Sequence, residues 1–289
     1  MRLAAALAER SRQALASGAL RPVETDTEVV EEEGVRFVLR RLSSLARKAE
    51  ARWRAERAAA TVQQPPDPFD PPEPALTVGP VGERHVAVLN KYNVIDGHLL
   101  IVTRRYAPQE ELLDESDLAA LGECVAELGA LGFYNGGEAA GASERHKHVQ
   151  LVPLPLGVDE AVPMERFYGR RAGSPRIEAG KRPFRHAVAA LEPDELLRPD
   201  RLHALYRELL SAIGVSGVPA GGALRQSAPY NLLVTLRWMV AVPRVREHYG
   251  TVSINALGFA GSFFVRDEAE SELVRRAGPL RVLAAVSGD

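Results

Sequence analysis

Six prolines fall within the twelve residues QQPPDPFDPPEP (Gln63–Pro74), and no other stretch so limits what this chain can form. Each proline removes a backbone donor and restricts the residue before it, so the segment is neither helix nor central strand. It is a linker, or a strap packed over the domain by Phe69. Before it, residues 1–18 have helical composition, with Leu3, Ala6, Leu7 and Ala14 close to one apolar stripe. A second Ala/Arg-rich stretch, at about 40–60, also reads as helix. After the prolines the character changes. Val86–Leu89 and His98–Thr103 are short β-rich runs around the turn-forming LNKYNVIDG. Leu118, Leu121, Val125 and Leu128 mark a helical face, with Asp114 or Ser116 as its N-cap. The last third carries strands at Tyr230–Thr235, Trp238–Pro243 and Ser262–Val265, preceded by a helix around Arg201–Ile213.

Composition narrows the function classes. The chain has 289 residues, with 36 Lys+Arg against 38 Asp+Glu, so no cationic excess exists to neutralise nucleic-acid phosphates. A small anionic ligand needs only a few local donors and stays open. The single Cys124 excludes an intramolecular disulfide and a Cys-rich zinc site, and it reads as a small core residue. The apolar run Leu3–Ala8 stops at Glu9 and Arg10, too short for a secretory segment. No run of about 18 apolar residues occurs, so a cytoplasmic protein without a membrane span is expected.

The chemistry concentrates near the middle. His146, His148 and Gln150 alternate with Lys147, Val149 and Leu151. On a strand, both imidazoles and the amide project from one face. Three readings compete: satisfied structural histidines, a metal site built on H-x-H, or covalent catalysis by a neutral imidazole attacking phosphorus. The metal reading requires a third ligand, and the other five histidines form no second obvious cluster. The preceding stretch NGGEAAGAS (Asn135–Ser143) is nearly free of bulk, so its backbone N–H groups can approach phosphate oxygens, with the Ser143 hydroxyl as a further donor. A loop of this kind leading directly into H-x-H-x-Q places phosphate donors beside a candidate nucleophile.

These residues carry a resemblance. LNKYNVIDGHLLIVT, FYNGGEAAGAS, HKHVQLVPLP, YNLLVTLRWMVAVPR and SINALGFAGSFFVRD, with DPF at 67–69, resemble the diadenosine tetraphosphate phosphorylases (ATP adenylyltransferases) of the histidine-triad superfamily. The likeness spans about 35–289 with gaps. Gln150 stands where plain histidine-triad hydrolases have a third histidine, which implies the transferase branch. The resemblance implies phosphorolysis of diadenosine tetraphosphate (Ap4A) to ATP and ADP through an AMP–histidine intermediate. It implies His148 as nucleophile, Gln150 as donor to the transferred phosphate, and His146 as a group that holds the loop or helps orient the nucleophile. It also implies substrate contacts from Lys48, Asn90, Lys91, Asn135, the run Gly141, Ala142, Ser143 and Glu144, and Asn255, Ala256 and Leu257. Ser262 and Arg266 stand where fungal members have Met and Lys. Glu144 replaces a common Gln, and a carboxylate there is expected to turn from polyphosphate or meet Arg145. Arg266 is equally an ordinary ion-pair partner of Asp267 or Glu268, and Lys91 an ordinary turn cation.

The expected fold is α+β, a histidine-triad-like (HIT-like) antiparallel sheet flanked by helices, with a second related half. The expected organisation is a helical segment at 1–62, a Pro-rich strap at 63–80, a catalytic half at 81–160, an irregular connection at 161–200 and a C-terminal half at 201–289. A weak echo between 85–105 and 229–244, both strand–turn–strand ending in Arg, fits two related halves sharing one sheet, or equally two unrelated hairpins. No cofactor or resident metal is required, with Mg²⁺ allowed as a companion of the polyphosphate. The expected partners are small nucleotides and phosphate, with no nucleic acid and no membrane. An ADP-sulfate or sugar-1-phosphate nucleotidyltransferase, or a non-catalytic nucleotide-binding protein, is the alternative.

Overall fold

The computed structural model describes residues 2–43, 67–168, 177–180, 183–192 and 194–288. Helix α1 (Leu3–Ser17) ends at Gly18, whose left-handed φ of 73° lets its amide close on Leu15 O. β1 (Thr25–Glu32) and β2 (Val35–Leu42) form an antiparallel hairpin, followed beyond the proline segment by β3 (Thr77–Val81), β4 (His85–Leu89) and β5 (Leu99–Thr103). Helix α2 (Glu115–Leu128) begins at Asp114, whose carboxylate accepts from Asp117 N while Asp117 returns the bond to Asp114 N. This reciprocal cap satisfies two otherwise orphaned donors. Leu118, Leu121 and Val125 are buried, and Leu128 lies at the margin of that face.

β6 (Leu131–Gly136) and β7 (His148–Val152) complete the first half. The second holds α3 (Glu165–Tyr168), β8 (Ile177–Gly180), β9 (His186–Ala190), α4 (Pro199–Ala212), a hairpin of β10 (Gly217–Ala220) and β11 (Ala223–Gln226), β12 (Tyr230–Val234) and β13 (Trp238–Pro243). The chain closes with β14 (His248–Tyr249), β15 (Val252–Ser253), α5 (Ala256–Phe259), β16 (Ser262–Val265), α6 (Glu268–Ala277) and α7 (Pro279–Ser287).

One nine-stranded sheet runs β3-β4-β5-β7-β6-β12-β13-β9-β8, antiparallel at every pairing. Strand alternation divides its side chains between two cores. Tyr134, Val149, Leu151, Leu232 and Met239 pack with α1, α2 and α4. Phe133, Val152, Leu233, Trp238 and Val240 face the opposite way, toward Phe37, Leu39 and Phe263 and the helices α6 and α7. Those last strands belong to a smaller sheet, β1-β2-β16, in which β16 joins β2 in parallel. Each fully buried Leu, Val or Phe contributes about 1.5–3 kcal/mol, so the two cores hold the great sheet between them.

The two halves repeat one unit. Hairpin, helix and hairpin follow as β4-β5, α2, β6-β7 and again as β8-β9, α4, β12-β13, in sheet orders 4-5-7-6 and 8-9-13-12. They meet where β6 pairs with β12. The halves do repeat, but the sequence echo is not that repeat: it pairs hairpins that do not correspond, as the reading of unrelated hairpins has it. Residues 229–244 correspond to β6-β7, not to β4-β5, because any antiparallel hairpin of buried strands reads alike.

Two further expectations differ from the structure. The block 1–62, read as helical, contains the β1–β2 hairpin. Its turn lies at Glu33 and Gly34, both at positive φ (48° and 71°), as the tight turn between twisted strands requires. The block 161–200, read as irregular, supplies β8 and β9 at the sheet's edge. Alanine-rich HAVAA lacks the bulky β-branched signature, yet its small side chains suit the crowded ground beneath α4. The helix expected at about 40–60 lies mostly outside the described residues. No described helix is long and apolar enough to cross a membrane.

Candidate active site

β7 begins at His148, and its alternation divides the H-K-H-V-Q motif between the two faces. Val149 and Leu151 enter the helix-side core, so His148 and Gln150 face the other way. Lys147 also turns to the helix side. Its ammonium donates to Asp117 Oδ2 at 2.7 Å and to Leu112 O at 2.8 Å, while His85 Nε2 lies 2.8 Å from Asp117 Oδ1. Burial by itself would raise the Asp117 pKa, but the bonds from His85 and Lys147 prevail and hold it down to about 2. This buried triad fixes the back of the motif.

On the front, His148 Nδ1 donates to the carbonyl of His146 at 2.8 Å. The proton is thereby placed on Nδ1, and Nε2 keeps its lone pair. Burial pushes the His148 pKa down to about 4, so the ring is neutral at physiological pH. Gln150 Nε2 stands 3.4 Å from His148 Nε2, and Gln150 Oε1 lies 2.8 Å from His98 Nε2. Gln109, 1% exposed, clamps the strand start: its Oε1 accepts from His148 N at 2.9 Å. Its Nε2 donates to His148 O at 3.2 Å and to Asn135 O at 2.9 Å, tying the motif to the glycine-rich loop.

His146 is held by the proline segment. Its Nδ1 lies 2.8 Å from Asp67 Oδ2, and its Nε2 lies 2.7 Å from Thr103 O. Phe69 touches both histidine rings, with centroids 5.8 Å from His146 and 5.5 Å from His148. Of the two sequence readings for residues 63–74, the strap packed by Phe69 matches the described part. Both His146 nitrogens thus face protein oxygens, which leaves His148 Nε2 as the lone pair of the H-x-H pair open to an electrophile. Among the described residues, no group of three or more His, Cys, Asp or Glu is placed to hold a metal ion.

The loop after β6 turns at Gly137 and Gly141, with φ of 87° and 89°. A side chain at Gly141 would stand 2.7 Å from Asn255 Cβ, so only glycine allows the two segments to meet. Part of the expected phosphate cradle is committed internally: Gly137, Ala140, Gly141 and Ala142 donate their amides to carbonyls of the loop and of Asn135. The Ser143 amide and hydroxyl, exposed beyond the loop, have no partner among the described residues and remain as donors. Glu144 follows it, half-buried. Asn135 Oδ1 accepts from Asn231 Nδ2 at 2.9 Å and from Ala256 N at 3.0 Å, while Asn255 caps α5 through Leu257 N at 3.0 Å. Beneath them the Arg244 guanidinium donates to Ala140 O, Asn231 Oδ1, Ile254 O and Val286 O. Burial pushes its pKa down to about 9, against a weaker opposing pull from the Glu247 carboxylate.

The structure thus joins His146, His148, Gln150, Asn90, Asn135 and Ala256 through one bonded network, with Gly141 packed against Asn255 beside it. Lys91 meets Glu73 of the strap at 2.8 Å. Ser262 accepts from Arg40 Nε at 3.3 Å in the smaller sheet. Arg266 pairs with Glu270, a residue further along α6 than the Asp267 or Glu268 named from sequence. No bond links Ser262 or Arg266 to the His148 cluster among the described residues. Lys48 lies outside the described residues. Sequence reasoning missed His98, Gln109, Asp117 and Asn231. Only His98 had a local signal, in standing at the mouth of an apolar strand.

The crystal structure of yeast Ap4A phosphorylase Apa2 in complex with AMP shares this fold, with a TM-score of 0.78 at 20% identity, covering 99% of this chain and 96% of that one. The same yeast enzyme in complex with Ap4A gives 0.77 at 21% identity, over 99% and 97%. Among curated proteins, Protein APA1 of Saccharomyces cerevisiae is 25% identical over 299 residues, covering 95% of this chain and 90% of that protein. Diadenosine 5',5'''-P1,P4-tetraphosphate phosphorylase 2 of the same yeast is 28% identical over 233 residues, covering 71% and 70%. Residues 1–169 match the Ap4A phosphorylase N-terminal domain, and residues 180–288 match the ATP adenylyltransferase C-terminal domain. Fold and matches together define a nucleotidyltransferase. The chain belongs to the Ap4A phosphorylase family.

Proposed function

We propose that this protein phosphorolyses Ap4A to ATP and ADP, with His148 carrying the AMP between the two. The observation that supports the reading most is the bare, neutral Nε2 of His148 beside the Gln150 amide. The Nε2 lone pair attacks the terminal phosphorus of the substrate, a P–N bond forms, and the P–O bond to the rest breaks, releasing ATP. The ring gains positive charge, which the Nδ1–H to His146 O bond stabilises. An oxygen of inorganic phosphate then attacks the same phosphorus. The P–N bond breaks, its electron pair returns to Nε2, and ADP leaves.

Gln150 donates to the oxygens of the transferred phosphoryl group, where charge shifts during each step. Ser143 and the loop take the outer phosphates, and the Arg244 guanidinium beneath adds positive potential. These roles fall to side chains and backbone groups of the protein, with Mg²⁺ entering as a companion of the polyphosphate. A cytoplasmic location follows from the nucleotide substrates.

The test is to incubate the protein with Ap4A, with and without phosphate, and to resolve the nucleotides chromatographically. ATP and ADP in equal amounts, formed only with phosphate and lost in His148→Ala, are expected. Phosphate-independent breakdown would make water the acceptor and overturn the reading. Retention of nucleotide affinity without turnover would favour a binding protein.

A further inference from the structure

One backbone carbonyl sets the orientation of four side chains. The His146 carbonyl can only accept, so the His148 Nδ1 at 2.8 Å must carry hydrogen and Nε2 must be bare. A bare nitrogen requires a donor opposite it. The Gln150 atom 3.4 Å away is therefore its NH₂ group, which leaves Oε1 turned to His98. Oε1 can only accept, so the His98 Nε2 at 2.8 Å carries hydrogen. His98, pushed down to about 4 by burial, is neutral, so its Nδ1 is bare. The partner 3.1 Å from that nitrogen is accordingly the NH₂ of Asn90. Reversing any one member sets acceptor against acceptor, or donor against donor, at one of its links.

We infer that His98 is a positioning residue for the transfer reaction, holding the Gln150 amide with its NH₂ toward the reacting phosphorus. The inference rests on the His148 reading above. Asn90, for which a substrate contact was expected, is the far end of this chain.

The architecture supports the role. His98 stands at the entrance of β5, its ring tilted against Phe133 with centroids 5.8 Å apart, and Phe133 is the register partner of Gln150 across β6 and β7. Asn90 N donates to His98 O at 3.0 Å, so the β4–β5 loop brings its own two ends to the amide. In each chemical step the fixed NH₂ offers its two N–H bonds beside Nε2, where a phosphoryl oxygen can accept, while Oε1 stays on His98. An amide free to rotate would present its oxygen to anionic phosphate in a fraction of encounters. Orientation of this kind acts on the transition state more than on substrate binding.

The experiment compares His98→Leu, His98→Gln, Gln150→Leu and the double variant His98→Leu/Gln150→Leu. Wild-type turnover of Ap4A is measured first, since its failure would refute the transferase reading itself. Given turnover, His98→Leu is expected to lower kcat about tenfold, the worth of one neutral hydrogen bond, with KM for Ap4A little changed. His98→Gln offers an amide donor at nearly the same place and is expected to recover most of the loss. On the Gln150→Leu background, His98→Leu is expected to cost nothing further.

Equal, additive losses on both backgrounds, or a His98→Gln variant as slow as His98→Leu, would overturn the inference. A second readout is independent of activity: nitrogen-15 NMR of the imidazoles is expected to show His98 protonated on Nε2 and His148 on Nδ1. The opposite tautomer at His98 would refute the assignment even if turnover persisted or no variant retained activity.

Discussion

Lys147 stands between the two motif histidines, yet its replacement should act on stability and hardly on chemistry. Its ammonium is buried behind the strand against Asp117 and Leu112 O, with side chains of Lys147 and Asp117 only 5% and 4% exposed. Lys147→Met keeps the length and the apolar stem while removing the charge. Breaking a buried pair by deleting one partner costs about 3–5 kcal/mol, because the other charge is left without compensation. Asp117 would retain His85 and the Asp114 amide, so the lower end, about 3 kcal/mol, is expected. The loss also has a pH signature. Asp117 is held to about 2 in the fold against 3.8 when unfolded, so its stabilisation is complete above 3.8 and disappears as pH falls toward 2. The gap between wild type and variant should be widest at neutral pH and narrow below about pH 4. Urea denaturation followed by circular dichroism measures this. A neutral-pH loss under about 1 kcal/mol at unchanged m-value would refute the buried-pair argument. So would a large drop in kcat of the folded variant, since the ammonium faces away from His148.

Four other outcomes follow from the same geometry. His148 and His98 are each pushed from 6.5 down to about 4. The acid limb of kcat set by the nucleophile should therefore lie near pH 4, and a limb near 6.5 would contradict it. The same depression makes the unfolded chain the stronger proton binder between pH 6.5 and 4. Stability should fall with falling pH there by up to about 1.4 kcal/mol per unit for each ring, as a denaturation series would show. Gly141→Ala places a Cβ 2.7 Å from Asn255 Cβ at a φ of 89°. A loss of roughly 2–5 kcal/mol in urea unfolding, with a raised KM for Ap4A, is expected. Cys124 is buried, and burial pushes its thiol up to about 12, so a thiol reagent should label it only after denaturant is added.

What could be read in advance was whatever depended on local periodicity. The alternation of His146 to Leu151 does divide the motif between two faces, and Ser262–Val265 is a strand with those bounds. Asp114 caps its helix through a signature held within four residues. The hairpin of 25–42 has its Glu33–Gly34 turn between β-branched runs, but β1 carries four carboxylates and no buried position, so it lacks the apolar alternation of a core strand. The supports of the site were hidden for another reason. Gln109 reaches His148 from 39 positions away, His98 reaches Gln150 from 52, and Asn231 reaches Asn135 from 96. Such pairs arise from sheet order, and no single segment contains them. The repeat between the halves emerges from the strand order alone, since the sequence echo joins hairpins that do not correspond.

The central claim is that AMP resides on His148 between the departure of ATP and the arrival of phosphate. It is tested most directly by mixing the protein with Ap4A without phosphate, quenching in alkali, where phosphoramidates persist, and mapping peptides by mass spectrometry. The account predicts one adenylyl group on the peptide containing 146–151, located at His148, with ATP released in equal amount. Phosphate added before the quench should remove the group and yield ADP. Phosphate-dependent turnover with no adduct at any time, or an adduct on a different residue, would contradict it.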